Sequence, residues 1–81
     1  MELDLRGTDL QTMRSYLELL GGVAQGLHQI AGDGWRASLT AGVHRWRQWE
    51  FPQVTVTLEG ETERVAEIAR RLRVMATRGG A

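Results

Sequence analysis

The stretch VHRWRQWEF, Val43–Phe51, places two arginines and two tryptophans within five consecutive residues. How it is read decides where the sheet of this protein ends. Taken as one regular strand, it puts His44, Trp46, Gln48 and Glu50 on one face and Val43, Arg45, Arg47, Trp49 and Phe51 on the other. Neither set is an apolar core face. Either a bulge changes the register between Arg45 and Trp49, or part of the strand stands at an edge with its aromatics against something outside the domain. In a self-contained reading, Trp49 and Phe51 enter the core and Trp46 lies on the outer face under an arginine, a cation–π contact worth about 0.5–2 kcal/mol. In a functional reading, Trp35, Arg36, His44, Arg45, Trp46 and Arg47 form one exposed patch.

Working outward, Ala41 and Gly42 are expected to turn the chain before this stretch, and Pro52 closes it. Val54, Val56 and Leu58 then alternate with Thr55 and Thr57, the period of a half-buried strand. On the other side, Trp35, Ala37 and Leu39 alternate with Arg36, Ser38 and Thr40. The GDG at Gly32–Gly34 is a strong hairpin signal, and the short segment before it, Leu27–Ala31, reads as a strand or as a loose extension of the helix. At the amino end Met1, Leu3 and Leu5 alternate with charged residues, and Gly7 ends the strand. Thr8 with Gln11 fits a capping box, and Leu10, Met13, Leu17 and Leu20 recur at helical spacing up to Gly21 and Gly22. After Gly60, Val65, Ile68, Leu72 and Met75 mark a second helix. Its acids (Glu61, Glu63, Glu67) come early and its arginines late, complementing the helix dipole, and Glu67 is spaced to pair with Arg71.

These elements give the order β-α-β-β-β-β-α. Successive hairpins make the sheet antiparallel, and one apolar stripe per helix lays both helices on one face. The expected fold is a two-layer α+β sandwich, with a ferredoxin-like variant of one strand fewer as the alternative. Residues 1–78 form a single domain and 79–81 a flexible tail, in keeping with how termini fray.

A chain of 81 residues closes only one core, and a domain of this size buries about 60% of its unfolded surface, so a dimer interface is a natural supplement. Hydrophobic content of 42% against 25% charged is globular composition. The formal net charge is zero, which argues against a generic electrostatic attachment to nucleic acid or anionic membrane. Every basic residue is arginine, the side chain of planar, bidentate and stacking contacts, a bias that the base composition of a genome also produces. With no cysteine there is no disulfide, thiolate metal site or thiol nucleophile. No apolar run reaches the length of a membrane span, and MELDLRG lacks the layout of a signal peptide, so a cytoplasmic setting is expected.

Catalytic signatures are absent. Gly32, Gly34 and Ala37 match G-x-G-x-x-A, but that fingerprint needs a helix opening within it, and Trp35–Thr40 reads as strand. His28 and His44 lack the further ligands a zinc site requires. Ser15 and Ser38 lie in no nucleophile turn. No enzyme activity, metal or cofactor is expected. The tail RGGA raises the carboxyl-terminal diglycine of ubiquitin-like sulfur carriers. Ala81 follows Gly80, however, and those carriers begin with a hairpin, whereas here one strand leads directly into a helix.

The segments GWRASLTAGVHRW and EFPQVTVTLEG resemble those of a small accessory domain that accompanies the sulfur-carrier module in proteins related to the small subunit of molybdopterin synthase. That resemblance implies an accessory role, a β-α-β-β-β-β-α, TBP-like topology and a link to molybdenum-cofactor biosynthesis; it transfers no site residues. The expected function is therefore a non-catalytic binding or accessory domain, acting through its open sheet and the Arg/Trp stretch as a homodimer or with a protein partner. Single-stranded nucleic acid is the alternative, with Trp46 stacking on a base and Arg36, Arg45 and Arg47 on phosphates. A small ligand held between helices and sheet is a second alternative, and no membrane is expected as a partner.

Overall fold

The computed structural model describes residues 1–79 of the chain. The elements run β1 (Glu2–Arg6), α1 (Leu10–Leu19), β2 (Val23–Gly26), β3 (Gln29–Gly32), β4 (Trp35–Trp46), β5 (Trp49–Gly60) and α2 (Thr62–Gly79). All five strands form one antiparallel sheet in the order β1-β5-β4-β3-β2. Both helices lie on one face of it, α1 over β2, β3 and β4, and α2 over β5 and β1. This is the expected two-layer α+β sandwich, and its fifth strand removes the four-stranded alternative.

The element string agrees with expectation, but two of its strands are different pieces of chain. Ala41–Gly42 is not a turn. It lies inside β4, which continues unbroken from Trp35 to Trp46 in register with β5. Val43–Phe51 is not a strand; it contains the hairpin turn, Arg47–Gln48, between the cross-strand partners Trp46 and Trp49. The missing strand is β2, four exposed residues with a register irregularity after Ala24. Leu27 and His28, expected in a strand or an extension of α1, fall between β2 and β3.

Alternation explains the core. On β4, Trp35, Ala37 and Leu39 point under the helices, as do Val54, Val56 and Leu58 on β5, Leu3 on β1 and Ile30 on β3. Met13 and Leu17 from α1 and Val65, Ile68, Ala69 and Leu72 from α2 close the layer from above. Among the described residues no polar or charged side chain is buried in it. Trp35 is the largest member, and two glycines make room for it. A Cβ at Gly32, its cross-strand partner, would collide with the indole, and one at Gly22 would meet the same ring at 2.8 Å. The first glycine of GDG thus serves packing, while the second, Gly34 at φ +81°, serves the turn.

The start of α1 differs from expectation by one residue. Its N-cap is Asp9, whose Oδ1 accepts a hydrogen bond from the Thr12 amide at 2.8 Å, rather than Thr8. That bond holds the Asp9 carboxyl below its ordinary value, because it favours the charged form. In α2 the expected ion pair forms, Arg71 Nη2 to Glu67 Oε1 at 3.0 Å. Gly79, placed by expectation in a flexible tail, is the last residue of α2; Gly80 and Ala81 lie outside the described residues.

Candidate functional site

β4 and β5 outrun the rest of the sheet. β3 pairs with β4 only as far as Ser38, and β1 pairs with β5 only over Gln53–Thr57. Beyond these limits the two strands continue alone as a two-stranded arm that ends at Arg47–Gln48. The arm contributes to an elongated shape of 41 × 24 × 19 Å.

The two faces of the ladder exchange character along its length. In the inner half the helix side is apolar (Ala37 opposite Leu58, Leu39 opposite Val56), and the open side is polar (Arg36 opposite Glu59, Ser38 opposite Thr57, Thr40 opposite Thr55). In the arm the helix side ends in Arg45 opposite Glu50, whose Nε and Oε1 lie 3.0 Å apart. The open side carries His44 opposite Phe51 and then Trp46 opposite Trp49. Gly42 opposite Gln53 is the rung at which the open face passes from polar to aromatic. Four rings therefore share one face of a ribbon with no second layer over it, and Trp46, Trp49 and Phe51 are 55%, 57% and 42% exposed.

The turn at the tip is strained. Arg47 has φ +58°, a left-handed conformation costing a non-glycine residue roughly 1–2 kcal/mol. Its guanidinium lies over the Trp46 ring at 4.7 Å, a contact worth about 0.5–1 kcal/mol at an exposed site. The contact recovers only part of the cost, so within one subunit a glycine would turn this hairpin more cheaply.

Of the residues singled out from sequence, the structure brings His44, Arg45, Trp46 and Arg47 onto the arm, although Arg45 sits on the face opposite the rings. Two are corrected. Trp35 is only 6% exposed and belongs to the core. Arg36 is on the open face, but ten residues along β4 from Trp46, roughly 33 Å at the rise of a strand. Trp49, Phe51 and Val43 were missed as exposed arm residues, the first two having been assigned to the core. The available signal was mirror symmetry. Read outward from Arg47–Gln48, the sequence gives Trp/Trp, Arg/Glu, His/Phe, pairs of rings and opposite charges that a hairpin centred there sets opposite each other. Arg-Gln lacks the glycine or asparagine that usually announces such a turn.

Other sites have less to offer. The helix–sheet interlayer is filled by Met13, Leu17, Ile30, Leu58 and Leu72. The cleft between the end of α1 and α2 encloses about 180 Å³, below the range of ligand pockets, and Arg64 beside it is within 4 Å of both Asp33 and Glu67. Among the described residues no group of three or more His, Asp or Glu side chains converges as a metal site, and no helix is long and apolar enough to cross a membrane.

With this geometry in place, the comparison with protein families is direct. A family model described as archaeal MoaD-like protein matches residues 1–81. The chain belongs to the archaeal MoaD-like family. That membership ties it to proteins like the small subunit of molybdopterin synthase. A search of curated proteins finds no match. This chain has a single strand before α1, and its five strands pair antiparallel.

Proposed function

We propose that this member of the archaeal MoaD-like family is a non-catalytic association domain that binds protein through the ring face of its arm. The reading extends the family's link to the molybdopterin-synthase small subunit into an accessory role in molybdenum-cofactor biosynthesis. Its main support is one observation: three large aromatic side chains and an imidazole lie on one side of a projecting ribbon whose other side carries the Val43–Pro52 rung and the Arg45–Glu50 pair. Monomers rarely leave contiguous apolar patches of more than a few hundred square ångströms open, and Trp and Arg are the side chains that most often anchor interfaces. The unrecovered strain at Arg47 points the same way, since strain of this kind persists where function uses it.

Two other readings have weaker support. A single-strand nucleic-acid site needs cations flanking the rings. Here Arg36 is remote and Arg45 is paired with Glu50 on the far face, which leaves Arg47 alone beside the rings among the described residues. Sulfur transfer through Gly79–Gly80 calls for an extended diglycine, whereas Gly79 closes α2.

Trp46→Ala tests the proposal. Association is measured by sedimentation of the chain alone and mixed with a molybdopterin-synthase large subunit, alongside thermal unfolding. The expected result is a lost or at least tenfold weaker association with the melting point nearly unchanged. A variant that unfolds yet associates as the parent does, or a parent that associates in neither setting, would sink the reading.

A further inference from the structure

Resting on the association role proposed above, we infer that the occupant of the ring face is a second copy of this chain, the two arms lying antiparallel and face to face about a two-fold axis at the His44–Phe51 rung. The rungs of the open face follow one another every two residues, about 7 Å apart. From His44–Phe51, the next rung toward the tip is Trp46–Trp49 and the next toward the base is Gly42–Gln53. An axis at His44–Phe51 therefore sets each Trp46 over the partner copy's Gly42. Nothing lies within 4 Å of where a Cβ at Gly42 would be, so that rung is an open notch on the strand that must receive the indole.

Charge fits the same arrangement. The arm carries Arg45, Arg47 and Glu50, a net of one positive charge, and the open face of β1 carries Glu2, Asp4 and Arg6, a net of one negative charge. Asp4 lies beside Thr55, one rung further toward the base than Gln53. Arg47 lies just beyond the Trp46–Trp49 rung at the tip. Antiparallel arms bring the tip of each copy over the Asp4 rung of the other. One Asp4 oxygen accepts from Thr55 Oγ1 at 2.9 Å, and the second has no partner among the described residues and can accept from a guanidinium. An isologous contact has to be self-complementary in this way, with each feature meeting its opposite on an identical surface.

Sidedness separates this occupant from a bilayer. A membrane surrounds an inserted hairpin tip, whereas here the reverse-face rung next to the tip is the Arg45–Glu50 ion pair, with the smaller Val43–Pro52 rung behind it. Size sets the strength. Three half-exposed rings and their rim make a contact at the small end of stable interfaces, about 1,200 Å² in total, the class of weak and transient associations.

The absence of native cysteine allows a clean test. In single-cysteine variants, a short bismaleimide is expected to join His44→Cys to itself, because that position lies on the axis, and to leave Trp46→Cys uncoupled. Gly42→Val fills the notch at a position where an added Cβ meets nothing within 4 Å in its own subunit. It is expected to weaken dimerisation in sedimentation at least tenfold while the melting point of the dilute chain holds. If Trp46→Ala abolishes association but Gly42→Val does not, and His44→Cys fails to couple, the antiparallel register is wrong while the association role survives. Should Trp46→Ala leave a dimer intact, both fall. A parent chain that stays monomeric at several hundred micromolar overturns the second-copy inference, whether or not the ring face then binds anionic vesicles, an oligonucleotide or a different protein.

Discussion

The inner and outer halves of the β4–β5 ladder are the same two strands in one continuous register, yet they obey opposite rules. In the inner half a helix layer sits over the apolar side chains, and each of Trp35, Ala37, Leu39, Val56 and Leu58 is buried. In the arm no layer among the described residues covers either face, and the aromatic side chains are on the other side of the ribbon. Alternation alone does not make a core. It makes a two-sided ribbon, and which side is apolar records where a second layer can lie: the chain's own helices in one half and, in the proposed reading, a second copy in the other.

The sharpest way to break that contrast uses one residue type on one strand. Trp35→Ala empties the position that Gly32 and Gly22 are shaped around, and a loss of about 3–5 kcal/mol is expected from urea unfolding. Trp46→Ala removes only a ladder neighbour and an exposed cation–π contact, and about 1 kcal/mol or less is expected at concentrations where the chain is monomeric. Similar losses at the two positions would mean that the arm is part of the folding core.

A pair of glycines makes the contrast at a smaller scale. Gly32→Ala drives a methyl into the Trp35 ring and is expected to cost about 1–3 kcal/mol. Gly42→Ala meets nothing, and its backbone has no positive φ, so a gain of about 0.4–1 kcal/mol is expected through the stiffer unfolded chain. Denaturation midpoints that move in the same direction for both would show that the notch in the arm is already occupied within the subunit.

How much of this was legible in sequence follows the same division. The inner half was readable because Val54, Val56, Leu58 and Trp35, Ala37, Leu39 alternate against helices whose own stripes, Met13/Leu17 and Val65/Ile68/Leu72, are regular. The GDG turn was readable because Gly34 needs a left-handed backbone and glycine supplies it. The arm was misread for the opposite reason. Its turn uses Arg47 in that same conformation without glycine, so Ala41–Gly42 presented the stronger turn signal six residues too early. The displaced turn then carried Trp49 and Phe51 into the core and Arg36 into the patch. Strand β2 was illegible because all four of its residues are exposed and an irregular ladder breaks its period.

Arg47→Gly sharpens the same point at lower energy. Glycine relieves the left-handed cost of about 1–2 kcal/mol and forfeits the contact on Trp46, worth about 0.5–1 kcal/mol, so a net gain near 0.5 kcal/mol is expected for the monomer. The same variant is expected to weaken dimerisation, because Arg47 is the group set against Asp4 of the second copy. A substitution that stabilises the subunit while loosening the assembly would separate the two halves of the ladder by function as well as by burial. If Arg47→Gly raises neither the melting point nor the dissociation constant, the strain at the tip has no such role.

The smallest expected effect lies wholly on the inner side, at the cap of α1. The Asp9 carboxyl is held below its ordinary value of 3.8 by the Thr12 amide, so its cap is at full strength above that pH and fades as pH falls through the lower folded-state value. Asn caps a helix about as well and does not titrate. Asp9→Asn is therefore expected to match the parent at neutral pH and to lose less of its melting point on acidification below about pH 4. Trp46→Ala, which alters only the arm, is expected to keep the parent's acid limb. If the arm variant rather than the cap variant changed that limb, protonation would be acting through the ribbon, and the independence of the two halves would have to be given up.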